Sequence, residues 1–259
     1  MDGIPWDFGG FWGAIASPMA LYNKGVFLSS SVDPMQLHPQ AHPPLENGDR
    51  LSYREFERRY TAMPNHQKAE LIEGVVYMAS PLRFTSHAKP HADLMGLLWT
   101  YKVATPPTEI GIEPTVRLDS ENEFQPDGVL LIPGRGSQIS PEGYIQGAPE
   151  LVVEIAASSG ALDLGAKQRV YQRNGVREYL VWQIFEQEFL WFVWEEGVYE
   201  PLTPDEQGIL RSRIFPGLWL NRPQLLANNL AAVLQTLQAG LASPEHEAFR
   251  DSCSSKFDP

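Results

Sequence analysis

The sequence predicts an α+β fold: a mixed central sheet flanked by helices, in one main domain. Three observations predict it. Helical and strand patterns succeed one another in the order helix, hairpin, helix, strands, helix, strands. Residues 150–156 read Glu-Leu-Val-Val-Glu-Ile-Ala, a run apolar except for its acids, as a strand covered on both faces requires. The 259 residues, 43% of them hydrophobic, suffice for one sizeable core, and no internal repeat suggests a second.

The elements follow in chain order. Residues 1–48 read as an N-terminal extension, irregular or partly disordered. Residues 8–13 are Phe-Gly-Gly-Phe-Trp-Gly, and 29–44 carry serines, histidines and prolines without periodicity. The main domain is expected over 49–242. Ser52 with Glu55 three residues on has capping-box spacing and opens a helix over 52–62. Residues 70–78 read as a hairpin turning at Gly74. Residues 86–101 read as a helix with Leu94, Leu97, Leu98 and Tyr101 on one face; Pro90 falls in its first turns, where proline does least harm. Strands are expected at 112–118, 127–132 and 150–156. A helix over 162–174 ends at Gly175, a C-cap position. Residues 179–184 and 189–194 are rich in β-branched and aromatic side chains and form a core hairpin. Residues 198–202 and 209–214 are expected to add a small outer pair, and 223–241 a closing helix. Residues 243–259 read as a polar, mobile tail.

The formal net charge is -12, whereas a non-specific nucleic-acid binder carries a basic surplus. Any nucleic-acid chemistry must therefore rely on a local basic groove or on charge carried by a bound cation. The single cysteine, Cys253, excludes an intrachain disulfide and a thiolate zinc site. No run of about 20 apolar residues could span a membrane. The N-terminus lacks the basic region of a secretory signal, so the expected compartment is the cytoplasm.

The chemistry centres on Asp127, which opens one strand, and Glu154, which interrupts the apolar run of another. A carboxylate inside a buried strand is costly to desolvate and must be paired, hydrogen-bonded or bound to a cation. If the two strands are neighbours, both acids face one point, and a hard divalent cation, Mg²⁺ or Mn²⁺, relieves their repulsion. The alternative is that Asp127 caps a turn and Glu154 forms a buried ion pair with Lys167. Lys167 and Tyr171 lie four apart and share a helical face that should meet the sheet. Lys167 there either assists a phosphate and a metal-bound water or snorkels. Glu70 and Glu73 point to opposite faces of a strand; Glu73 precedes the turn glycine, so Glu70 is the candidate for the site. His87 and His91 have the i, i+4 spacing that can chelate zinc, but no third ligand is evident. His87 can alternatively contact phosphate or a carboxylate, and Arg83 and Lys89 are candidate phosphate contacts. No phosphate-cradling loop, nucleophile elbow or dinucleotide fingerprint is present.

One ordered set of residues is more specific than any single motif. It comprises Glu70-Leu-Ile-Glu-Gly74; Ser80-Pro81 followed by His87; Pro126-Asp127; Ala148-Pro-Glu-Leu-Val-Val-Glu154; Lys167 with Tyr171; and Asn174-Gly-Val-Arg-Glu-Tyr179. The set, over roughly residues 50–220, resembles the Uma-two family of restriction endonucleases, part of the PD-(D/E)XK nuclease superfamily. The resemblance implies a restriction-endonuclease-like α/β nuclease core and Mg²⁺-dependent (or Mn²⁺-dependent) cleavage of DNA. It maps the metal-binding acids onto Asp127, Glu154 and Glu70; the mechanism expected from them adds the backbone carbonyl of Ile155 as a ligand, lets Glu70 bind directly or through water, and makes His87 and Tyr171 secondary contacts. The lysine usual two residues after the second acid is replaced by Ala156, and the family places it on the next helix, at Lys167. Ala157 stands where many members carry serine. A homodimer would suit double-strand cutting. Two readings compete: a nuclease-fold module that lost its chemistry, and a carboxylate-pair hydrolase of sugars, which needs neither metal nor lysine.

Overall fold

The computed structural model describes residues 42–63, 67–106, 108–157 and 159–254. Most of the expected N-terminal extension therefore lies outside the described residues. Helix α1, Tyr53–Ala62, starts where the capping box predicts: the Ser52 hydroxyl accepts the Glu55 N–H. Strands β1 (Ala69–Ile72) and β2 (Val75–Met78) form the expected hairpin. Both residues of its turn, Glu73 and Gly74, have positive φ, the conformation that matches strand twist and that glycine adopts at no cost. A π-helical turn, Phe84–Ala88, leads into α2, Lys89–Ala104.

Then come β3 (Glu109–Ile112), β4 (Val116–Asp119), β5 (Asn122–Phe124), β6 (Gly128–Leu131), β7 (Ser137–Ile139), β8 (Ile145–Gly147) and β9 (Leu151–Ala156). The single strand expected at 112–118 is two strands in different sheets. Glu113 has a left-handed backbone (φ 50) and Pro114 lacks an N–H, so the ladder breaks there. One helical stretch follows, made of α3 (Gly160–Leu162), a second π-helical turn (Asp163–Lys167) and α4 (Gln168–Arg173). It ends as expected: Gly175 has φ 77, and the N–H groups of Gly175 and Val176 close back on Gln172 and Tyr171.

Strands β10 (Glu178–Gln183) and β11 (Glu188–Glu195) form the expected hairpin. Strand β12 (Val198–Pro201) extends it, and β13 (Ile209–Arg211) pairs with β14 (Trp219–Asn221). The expected outer pair of 198–202 with 209–214 is thus replaced by two separate pairings. The closing helix is also split, into α5 (Arg222–Leu226) and α6 (Leu230–Leu241), with Asn228 in the left-handed region between them. The tail expectation needs correcting most. Residues Pro244–Ser254 form helix α7, which buries His246, Phe249 and Cys253. Those positions recur at three- and four-residue spacing, so a polar segment still presents one buried stripe.

Two six-stranded sheets result, in the orders β12-β11-β10-β9-β6-β3 and β2-β1-β5-β4-β8-β7. In the first, β9 and β10 are parallel and the other neighbours antiparallel, so the expected mixed central sheet is present. One face of this sheet packs Leu151, Val153 and Leu180 against Leu94 and Leu98 of α2 and Leu237 of α6. The opposite face packs Val129, Val152 and Val181 against Phe124, Val170 and Tyr171. Each such burial contributes about 1.5–3 kcal/mol. Among the described residues no helix is long and apolar enough to cross a membrane.

Candidate active site

Strands β6 and β9 are neighbours, as the two-acid reading requires. Their antiparallel register pairs Gly128 with Val153 and Val129 with Val152. The next step along that register sets Asp127 opposite Glu154. Side chains alternate along a strand, so Glu154 shares the face of Val152 and Ala156, toward the helix that carries Lys167 and Tyr171. Asp127 stands just before β6, and its Oδ2 accepts the Ile155 N–H at 2.6 Å. The side chain thereby continues the ladder where the strand pairing stops.

Lys167 is the hub. Its Nζ lies 3.0 Å from Glu70 Oε2, 3.0 Å from Glu154 Oε1 and 3.7 Å from Asp163 Oδ1. The Tyr171 hydroxyl donates to the same Glu154 oxygen at 3.0 Å. Glu70 also accepts the Gln125 N–H at 2.8 Å, which fixes it from the end of β5. All of these side chains are buried. Glu73, the excluded alternative to Glu70, points to the surface and pairs with Arg169 and Arg173. Both sequence readings of Glu154 meet here: it is ion-paired with Lys167 and it also lies beside Asp127.

The two π-helical turns frame the cluster. The first carries His87, whose Nε2 lies 3.1 Å from Asp127 Oδ1. The second carries both Asp163 and Lys167. Such turns are rare and concentrate at functional sites. His91, one turn into the next helix, places its Nε2 2.7 Å from the Asp127 backbone oxygen. Lys89 instead turns to Asp93 and Asn228, so its role as a candidate phosphate contact has no support in the fold.

The electrostatics explain why these groups need one another. Burial pushes the Glu154 carboxyl well up; Lys167 opposes this, and Asp163, Asp127 and Glu70 reinforce it. Asp163 is raised in the same way, by burial first. Burial alone would lower Lys167, but Glu154, Glu70 and Asp163 together hold its ammonium well above the usual lysine range. One positive charge therefore serves three buried acids. The surplus negative charge must be met by a retained proton or by a cation. Asp127 behaves differently. Burial raises it, but the hydrogen bond and charge of His87, with the Ile155 N–H, outweigh burial and hold it below the ordinary aspartate value. It is the acid already poised as an anion.

One residue and one partnership are not evident from the sequence. Asp163 sits four residues before Lys167, 1% exposed, with neither carboxylate oxygen hydrogen-bonded. Its spacing from Lys167 was the available signal. The third partner for His87 and His91 is Asp127: among the described residues, these three alone offer nitrogen and carboxylate atoms all within 4.8 Å of one another.

The family described as Uma2, putative restriction endonuclease, has a family model that matches residues 53–223. Four solved chains match significantly. One is a putative nuclease belonging to DUF820 from Anabaena variabilis ATCC 29413. It is 15% identical, with a TM-score of 0.52, over 68% of this chain and 98% of that one. At that identity the likeness shows a shared fold. No curated protein matches significantly.

Proposed function

The chain belongs to the Uma2 family, described as putative restriction endonuclease, and on that premise we propose that it is a metal-dependent endonuclease hydrolysing DNA phosphodiester bonds. The observation that carries the reading is the charge imbalance around Lys167. Glu70, Glu154 and Asp163 all lie within 4 Å of one ammonium, beside an ionised Asp127.

That donor set is of the chemical type a hard divalent cation takes. The buried negative charge around Lys167 exceeds that of its one ammonium, and the available ligands are oxygens. Asp127, Glu154, the Ile155 carbonyl and Glu70 would hold Mg²⁺ or Mn²⁺, with Asp163 as an acid behind them. When bound, the metal lowers the pKa of a water and polarises the scissile phosphate. The protein's own groups do the rest. Lys167, fixed by three acids, presents a buried ammonium that stabilises charge on a phosphate and orients the attacking water. Tyr171 donates to Glu154 and holds its rotamer. His87 fixes Asp127 through Oδ1, while the Ile155 N–H holds Oδ2. Burial keeps bulk water out, which strengthens each of these interactions.

Asp127→Asn tests this reading, because the amide oxygen still accepts the Ile155 N–H and the fold is kept. Cleavage of plasmid DNA with Mg²⁺ or Mn²⁺ is expected to fall at least ~100-fold, with an unchanged circular dichroism spectrum. Wild-type cleavage by this variant would overturn the metal-ligand assignment. The second reading, a nuclease-fold module without activity, is favoured by Ala157 and by the net charge of -12. Calorimetric titration of wild type and Glu154→Gln with Mn²⁺ separates the two: the enzyme loses binding in the variant, and the inactive module shows no difference.

A further inference from the structure

His91 has no part in the carboxylate site just described, yet it lies against it. His87 lies in the first π-helical turn, and His91 follows it by four residues. Their rings meet edge-on, with centroids 5.6 Å apart and planes at 74°. His87 Nε2 approaches Asp127 Oδ1 at 3.1 Å, and His91 Nε2 approaches the Asp127 backbone oxygen at 2.7 Å. The three residues bring one ligand atom each within 4.8 Å of the others. The other nitrogen of the His87 ring makes no competing contact. His87 is 8% exposed, and its Nδ1 is buried without a hydrogen-bond partner. A buried polar nitrogen left unpaired costs about 1–3 kcal/mol unless something meets it.

We propose that His87, His91 and Asp127 form a second cation site, selective for a transition-metal dication of the zinc or cobalt type. Two imidazoles and one carboxylate are the donor set of borderline cations. Mg²⁺ prefers all-oxygen ligands and keeps its waters. The three protein ligands leave further positions open, as in catalytic rather than structural metal sites. The site shares Asp127 with the proposed carboxylate site but uses none of Glu70, Glu154 or Lys167, so it stands or falls separately. Asp127 offers two oxygens, and a carboxylate between two cations is the arrangement of two-metal phosphoesterases.

The test is titration of the full chain with Co²⁺, read by its visible d–d absorption. Wild type is expected to develop an intense band with one equivalent of Co²⁺. Equimolar Zn²⁺ should displace it, and equimolar Mg²⁺ should not. His91→Gln and His87→Gln should each weaken Co²⁺ binding at least tenfold. Either variant suffices if the other fails to fold. Glu154→Gln should retain the band, even if the same variant shows that the carboxylate site cleaves nothing. Absence of a band at millimolar Co²⁺, a band indifferent to both histidine variants, or equal displacement by Mg²⁺ would each overturn the proposal.

Discussion

Two buried glutamates on adjacent parallel strands differ in everything except burial. Glu154 in β9 and Glu178 in β10 point to opposite faces of their sheet, since Glu154 pairs with Val181, which lies three residues from Glu178. Glu178 is wholly enclosed. Its Oε1 accepts the N–H groups of Arg213 (2.7 Å) and Ile214 (3.1 Å), and its Oε2 accepts the Ser212 hydroxyl (2.8 Å). These donors are neutral and come from one short loop, so the carboxyl ties that loop to the sheet. Glu154 is met instead by an ammonium and a phenol on one oxygen, with three further acids near by. Burial alone therefore does not mark a site. A buried acid satisfied by fixed neutral donors is architecture, while one balanced by shared charges can exchange its partners for a ligand.

The sharpest way to break this contrast is to remove the shared charge. Lys167→Met keeps the length and apolar stem of the side chain but leaves Glu70, Glu154 and Asp163 without a counter-ion. Removing one partner of a buried ionic cluster costs about 3–5 kcal/mol. Urea denaturation in metal-free buffer should show a loss of that order, with part of it recovered when Mn²⁺ is added. A variant as stable as wild type without metal would mean that the acids are held neutral and that Lys167 balances nothing.

A smaller effect sharpens the same contrast through activity. Glu154→Gln and Glu178→Gln are the same change one strand apart. The first should lower divalent-dependent DNA cleavage at least ~100-fold, about 2.7 kcal/mol of transition-state stabilisation. The second should leave the rate within about twofold, because Glu178 faces the other core. Equal losses in both variants would reduce the site to a matter of fold integrity.

The sequence exposed Glu154 more readily than most of what surrounds it. An acid inside a run of valines, leucine and isoleucine stands out because nothing else in that strand is polar. Lys167 and Tyr171 were legible because helical spacing sets them on the stripe that meets the sheet. Asp163 was hidden for a local reason. Its i,i+4 spacing sets it on the Lys167 face, but an acid four residues from a lysine is equally the pattern of a solvated surface pair, and nothing in the sequence marks it as buried. The third partner of His87 and His91 was hidden for a non-local one: Asp127 is 36 residues from His91 and reaches it only because β6 runs past the start of α2. Helix α7 is hidden by its composition. Its charged residues outnumber the apolar ones, while the positions that matter, 246, 249 and 253, form a narrow stripe. Glu178 gave the opposite problem: from sequence it was part of a family motif with no assigned task, and only the loop at 212–214 shows what it does.

The smallest expected effect is a slope rather than a step. Burial pushes the Glu178 carboxyl up to about 7 from an ordinary 4.5, with its hydrogen bonds pulling it part of the way back. In the window between these values the folded protein holds a proton that the unfolded chain has released. Stability must then fall as pH rises through that window and level off above it. The slope from this one group approaches about 1.4 kcal/mol per pH unit at most. Glu178→Gln removes it without losing the contacts, since the amide oxygen accepts both N–H groups and the amide nitrogen donates to Ser212. Glu154 and Asp163 are raised as well, so wild type alone cannot assign the slope. The difference between wild type and Glu178→Gln can. Urea midpoints should favour the variant progressively more as pH rises across the window, and a difference that does not change with pH would mean that Glu178 stays ionised behind its three neutral donors.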